Sequence, residues 1–181
     1  MRKDSAAMKN IRLMYVGLHL DMNATTAKTK LILSLYRNIV WASFHRARNL
    51  YESADEIFGA KLSTALAFLS DFAPIKERQA FEIKVASLFD TKTFVDLIDE
   101  AMIRLYDYHS NGKLYHRIIS KNYLTAFSYT EIEILEDINL ERSTYYDRKK
   151  EAVALFGLAL WGYSIPKYQE LIYKESQECS S

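Results

Sequence analysis

Glycine and proline are scarce in these 181 residues, with five of the first and two of the second. So few backbone breakers argue against a chain of tight turns and for helices. Cysteine is nearly absent. Cys179 stands alone in a polar stretch, which excludes an internal disulfide and fits a reducing compartment. Charge of one sign is not in excess: the formal net charge is +1, a balance that by itself suggests no nucleic-acid partner. Long apolar runs are missing too. The longest, residues 153–161, falls far short of the ~18 to 20 residues of a membrane span. Residues 1–10 are polar and charged, unlike a signal peptide. The expectation is a soluble, cytoplasmic protein with no membrane partner.

The signatures of catalysis are also lacking. There is no Gly-rich phosphate loop, no His-Glu-x-x-His and no Cys cluster. His19, His45, His109 and His116 show no ligand spacing, and Glu131, Glu133 and Glu136 read as a solvated face. No nucleophile and base stand out as a pair. No catalytic residue, cofactor or metal is therefore expected, and the chain is not read as an enzyme.

What is present is globular: 49% of residues are hydrophobic and 26% charged. Charge is unevenly spread, with a balance of +6 over residues 1–52, −4 over 53–100 and −1 over 101–181. Any DNA contact from the last third must come from a local cluster of cations. Helical spacing is the dominant pattern, and no segment alternates with the period of a strand. Residues 11–22 are short and apolar and are assigned to a helix. Thr25 or Thr26 is expected to cap a long helix reaching residue 57 or 58, with Leu31, Leu35, Ile39, Ala42 and Ala47 on its inner stripe. Gly59 ends it. Shorter helices fit residues 63–72 and 76–89. A helix opening at Asp90 or Thr91 has Val95, Ile98, Met102 and Leu105 inward, and Asn111-Gly112 is expected to close it. The next, residues 113–123, would bury Leu114, Ile118 and Ile119. The fold class is all-α: an N-terminal helical region (1–90), a helix-turn-helix DNA-binding domain (91–163) and a C-terminal tail (164–181).

Residues 128–161 carry the functional signal. Ser128 or Thr130 can cap a short helix whose positive end suits Glu131 and Glu133, with Ile132, Leu135 and Ile138 buried. A break at residues 137–140 follows, and a second helix opens near Glu141 or Arg142. Two helices joined by a turn of about three to four residues are the helix-turn-helix pattern, with Leu140 placed to plug the angle. At about 100° per residue, Tyr145, Ala152 and Phe156 share the inner face. Ser143, Tyr146, Asp147 and Lys150 lie opposite, with Arg142 at the edge. Arg142 and Lys150 have the chemistry to reach guanine O6/N7 or a phosphate, Ser143 a base edge, Asp147 a cytosine amino group, and the Tyr146 ring a thymine methyl or a sugar. Arg148 and Lys149, toward the flanks, and Arg117 and Lys121, on the preceding helix, are candidates for phosphate contact.

The run from Ile134 to Ala152, with its Arg142-Ser143-Thr144-Tyr145-Tyr146 core and Lys149-Lys150-Glu151-Ala152, resembles the DNA-binding segment of ArpU- and RinA-type phage and prophage regulators of Gram-positive bacteria. The C-terminal half of such proteins is similar to sigma-factor region 4. The likeness takes in Asp99-Glu100-Ala101, residues 111–115 and residues 160–166, so it spans roughly residues 93–166. Glu141 departs from it, standing where a Ser cap is usual, and so does Asp147, where a basic residue is commoner. The resemblance implies a transcription regulator of late phage or mobile-element genes.

Beyond residue 152 the same helix is apolar all round, so either the N-terminal helices or a second subunit must cover it. A homodimer reading a two-fold operator is the expected assembly, with double-stranded DNA as the partner and RNA polymerase a further one open to the N-terminal half. That half holds a basic, aromatic stretch: Lys28, Lys30, Tyr36, Arg37, Trp41, Phe44, Arg46, Arg48 and Tyr51. It is either a second nucleic-acid surface or, as we prefer, an amphipathic helix with its aromatics in the core and its arginines solvated. Two other functions remain open: a DNA-packaging factor of the small-terminase kind, and a helical interaction module with no DNA role.

Overall fold

A computed structural model describes residues 4–44 and 91–178. The described residues form α-helices joined by short turns, with no strand among them, so the fold is all-α. The helices expected over 63–72 and 76–89, the end of the long helix at Gly59, and Arg46, Ala47, Arg48 and Tyr51 lie outside the described residues.

Helix α1 (Ala6–Gly17) opens at Ser5, whose Oγ accepts from the Met8 N–H at 3.0 Å. Met8, Ile11 and Tyr15 recur every three or four residues and are buried. The helix stops inside the stretch assigned to it. His19 takes a left-handed conformation (φ 55°), and Leu20 N–H returns to the Tyr15 carbonyl at 3.0 Å. Helix α2 (Met22–Phe44) then begins earlier than Thr25. Asp21 is the cap, its Oδ1 accepting from Ala24 N–H at 2.7 Å. Thr25 and Thr26 fall within the first turns, and Thr25 is buried. Leu35 lies in the core as expected, but Ile32 and Leu33 accompany it and Leu31 is half-buried.

Helix α3 (Thr91–Tyr106) buries Ile98, Met102 and Leu105 with Phe94, Leu97 and Ala101, a broader face than the stripe expected. Asn111-Gly112 does not close it. Asn111 is left-handed (φ 61°) and is the N-cap of helix α4 (Gly112–Ile119). A Cβ at Gly112 would stand 2.5 Å from the Tyr106 carbonyl oxygen and 2.7 Å from that of Leu105. Glycine is needed there because the start of α4 abuts the end of α3. Tyr115, Ile118 and Ile119 are buried, and a π turn (Ser120–Leu124) ends α4. Helix α5 (Glu131–Ile138), helix α6 (Arg142–Ala159), a second π turn (Leu160–Ser164) and helix α7 (Ile165–Glu178) complete the described chain. Residues 165–178 are thus helical, with Ile165 in the core and Lys167 paired to Glu100 on α3 at 2.8 Å.

The second half of α6 is the centre of the molecule. Every residue from 151 to 160 is buried, which explains why the helix has no polar face beyond residue 152. Its cover comes from within the chain: α1, α2, α3 and α4 pack round it, and one core cluster includes residues from both sides of position 90. No second subunit is needed to bury this helix. The crossing with α2 is close. A Cβ at Gly157 would lie 2.6 Å from Thr29 Oγ1 and 3.0 Å from the Tyr15 hydroxyl. Those groups are themselves fixed. Tyr15 donates to the Ala154 carbonyl at 2.7 Å, Thr29 to the Thr25 carbonyl at 2.7 Å, and Trp161 Nε1 to Thr29 at 3.2 Å.

Gly157→Val is expected to lower stability by about 1–3 kcal/mol through overpacking, read as a lower urea midpoint with an unchanged denaturant slope.

Candidate nucleic-acid interface

Two helices joined by a short turn, α5 and α6, form within the stretch that carries the sequence signal. Thr130 caps α5 and makes a capping box with Glu133: the Thr130 N–H donates to Glu133 Oε2 at 2.7 Å, and the Glu133 N–H to Thr130 Oγ1 at 3.3 Å. Those bonds to Thr130 hold the Glu133 carboxyl below its usual range. Ile134 and Ile138 face the core with Leu135 half-buried. Ile132, expected inside, is 69% exposed. In an eight-residue helix the stripe through 134, 135 and 138 is one turn's choice away from that through 132, 135 and 138, and contact with α4 selects the former.

Asn139 leaves α5 in the left-handed conformation (φ 52°, ψ 51°), which short polar side chains tolerate. Leu140 packs against the core, and Glu141 is the N-cap of α6 without a side-chain bond to it. The turn is thus residues 139–141, and α5 and α6 are separate helices, as the motif requires.

Tyr145, Ala152 and Phe156 line the buried face of α6, as expected from their spacing. Azimuth is set by two polar anchors. Asn122, in the π turn after α4, donates Nδ2 to the Ile118 carbonyl at 2.7 Å. Its Oδ1 accepts from the Tyr145 hydroxyl at 3.0 Å and from Lys149 Nζ at 2.5 Å. The second anchor is Glu151, 2% exposed. Its carboxylate accepts from Arg148 at 2.6 Å, from the Tyr115 hydroxyl at 2.8 Å and from Ser5 Oγ. Burial, then the bond to Glu151, pushes Tyr115 up to about 12, so it stays a donor at neutral pH. One carboxylate thus joins the cap of α1, helix α4 and α6.

These anchors revise two expected phosphate contacts. Arg148 is tied to Glu151, and Lys149 lies over the Tyr123 and Tyr145 rings with burial lowering its pKa, so both turn toward the protein. Arg117 and Lys121 meet at Asp137, at 2.7 Å and 2.8 Å. The bond from Lys121, with Arg117 beside it, holds the Asp137 carboxyl below its usual range. They brace the end of α5 against α4. Arg142, Ser143, Tyr146 and Lys150 are exposed on the first half of α6, and Asp147 is half-buried beside them. Arg142 pairs with Glu131 at 2.8 Å, and Tyr146 donates its hydroxyl to the same carboxylate at 2.6 Å. Lys150 stands in no ion pair among the described residues.

Of the N-terminal basic and aromatic stretch, the side chains of Lys28, Lys30, Tyr36 and Arg37 are described. Tyr36 packs on the core against Phe94, with ring centroids 6.0 Å apart, and Lys28 lies over the Trp161 ring at 5.4 Å. Lys30 is exposed, and the side chains of Trp41 and Phe44 lie outside the described residues. Arg37 has a role that spacing does not disclose. Its guanidinium donates to the carbonyls of Thr125 (2.7 Å), Asn122 (3.1 Å), Lys121 (3.4 Å) and Phe127 (3.4 Å), and to Ser128 Oγ (3.2 Å). A cation on α2 therefore satisfies the carbonyls ending α4 and fixes the segment leading into α5.

Among the described residues no three His, Cys, Asp or Glu side chains converge as a metal site requires, and no helix is long and apolar enough to cross a membrane. Comparison with protein-family models, curated proteins and solved structures gives no match.

Glu151→Ala leaves Arg148 and Tyr115 without their acceptor and is expected to cost about 3 kcal/mol, the low end for breaking a buried pair because Arg148 still reaches water. Chemical denaturation with a far-UV circular dichroism readout measures it.

Proposed function

We propose that this chain binds duplex DNA in a sequence-dependent manner, laying the first half of α6 in the major groove, and that it acts as a transcription regulator of a phage or mobile element. The observation that carries the reading is the division of α6. Residues 151–160 are buried on all sides, while Arg142, Ser143, Tyr146 and Lys150 are exposed at the N-terminal end, beyond a left-handed turn from α5. That is the end a recognition helix offers to base edges. The exposed set pairs two cations with a hydroxyl and an aromatic ring, a mixture suited to base edges and sugar as well as phosphate. Asp137 and Glu151 absorb Arg117, Lys121 and Arg148, so few cations remain for phosphates. Affinity then rests on base contacts more than on a general positive field.

The resemblance to ArpU- and RinA-type regulators supports the assignment to phage or prophage transcription, and DNA as the partner implies a cytoplasmic location. Since α6 is covered within the chain, a homodimer would follow from operator symmetry and not from a need to bury apolar surface.

Selection of bound sequences from random duplex DNA tests the reading. A defined consensus is expected, two-fold symmetric if the chain acts as a dimer; no enrichment, with no salt-dependent binding to any duplex, would refute it. Arg142→Ala is expected to weaken binding to the selected duplex about tenfold or more and to relax one base position. Lys150→Ala is expected to weaken binding at all sequences and to flatten the salt slope by about 0.9 if its contact is a phosphate. Gel shifts across a salt series, with helicity checked by circular dichroism, separate the two.

A further inference from the structure

Glu131 is an acidic side chain bonded to the exposed face of α6. It opens α5, and its carboxylate meets two of the four exposed side chains named for base contact. Oε1 lies 2.8 Å from Arg142 Nε, and Oε2 accepts from the Tyr146 hydroxyl at 2.6 Å. Its field also reaches Lys149 and Tyr145 on the inner side of the same helix. The charge therefore sits at the opening of the recognition surface, where DNA would approach. Arg142 itself is open to water, its side chain 72% exposed. The pair is made through Nε, so Glu131 positions the side chain while the rest of the guanidinium stays open to water.

Two consequences follow from placing an anion there. A carboxylate beside the surface repels every phosphate, whatever the sequence. It also orders two long side chains before DNA arrives, which reduces the rotamer freedom lost when they meet a matching base edge. The first effect weakens binding to any sequence, and the second offsets that loss only at a site whose base edges match. Resting on the DNA-binding reading, we propose that Glu131 is a specificity-determining residue: it holds Arg142 and Tyr146 in place for base contact and keeps them from capture by phosphates.

The test compares the intact wild-type chain with Glu131→Gln and with Glu136→Gln, which removes one negative charge from an exposed position on the same helix. Binding is read by fluorescence anisotropy, over a salt series, on a random-sequence duplex and on the best duplex from selection. Glu131→Gln is expected to bind random DNA about tenfold more tightly, with a salt slope steeper by about 0.9 as Arg142 gains a phosphate. Its gain on the selected duplex is smaller, so the ratio of specific to random affinity falls at least threefold. Glu136→Gln should leave that ratio unchanged. An unchanged ratio in Glu131→Gln, a loss of binding to both duplexes with helicity intact, or an equal fall in Glu136→Gln would each overturn the proposal. Absence of salt-dependent binding by all three proteins would overturn the DNA reading itself, a result distinct from binding that Glu131 does not tune.

Discussion

The structure depends on one helix being buried over half its length and solvated over the other half. From residue 152 to its end α6 has no polar face and fills the space between α1, α2, α3 and α4, which fixes its axial position. Close packing makes that position hard to deform. At Gly157 the backbone of α6 comes so near Thr29 that even a methyl group would collide. The exposed side chains of residues 142–150 thus stand on the continuation of a rigid element and not on a surface loop. Side chains carried on such an element keep their geometry without support from a ligand.

Polar contacts refine what burial begins. Apolar packing resists rotation of a helix weakly, because neighbouring stripes are similar in shape. The Asn122 carbonyl, shared by Tyr145 and Lys149, and the Glu151 carboxylate, shared by Arg148, Tyr115 and Ser5, have direction as well as proximity. A rotation of α6 would break both sets at once and strand buried polar groups. Arg37 does similar service for the neighbouring segment, joining α2 to the backbone that leads into α5. The first helices of the chain are thus part of the scaffold that positions α5 and α6.

Charge on this scaffold is used mainly for internal pairing. The cations that a linear scan assigns to phosphate contact divide into Arg148 and Lys149, turned toward the protein, Arg117, Lys121 and Arg142, paired with Asp137 or Glu131, and Lys150, in no ion pair among the described residues. That division, more than the total number of lysines and arginines, sets the charge this surface offers. It also fits a chain whose formal net charge is only +1.

Much was determined by the sequence alone. The all-α class follows from few breakers and helical spacing, the existence of a turn from the break read at residues 137–140, which the structure moves to 139–141, and the inner face of α6 from Tyr145, Ala152 and Phe156. Long periodic segments carry enough repeats of the stripe to settle which side is apolar. Short segments do not: Ile132 and Ile134 are equally good inward residues in an eight-residue helix, and only contact with α4 chose Ile134. Asn111-Gly112 has the composition of a helix end and also of a close helix junction, and the approach of Gly112 to the Tyr106 carbonyl decides for the junction. Likewise Arg148 and Glu151, or Arg37 and the carbonyls near Asn122, are unremarkable in one dimension. Local propensity acts over one or two turns, whereas the pairing of a cation depends on which distant groups the packed helices bring within hydrogen-bond reach, and that is a property of the tertiary structure.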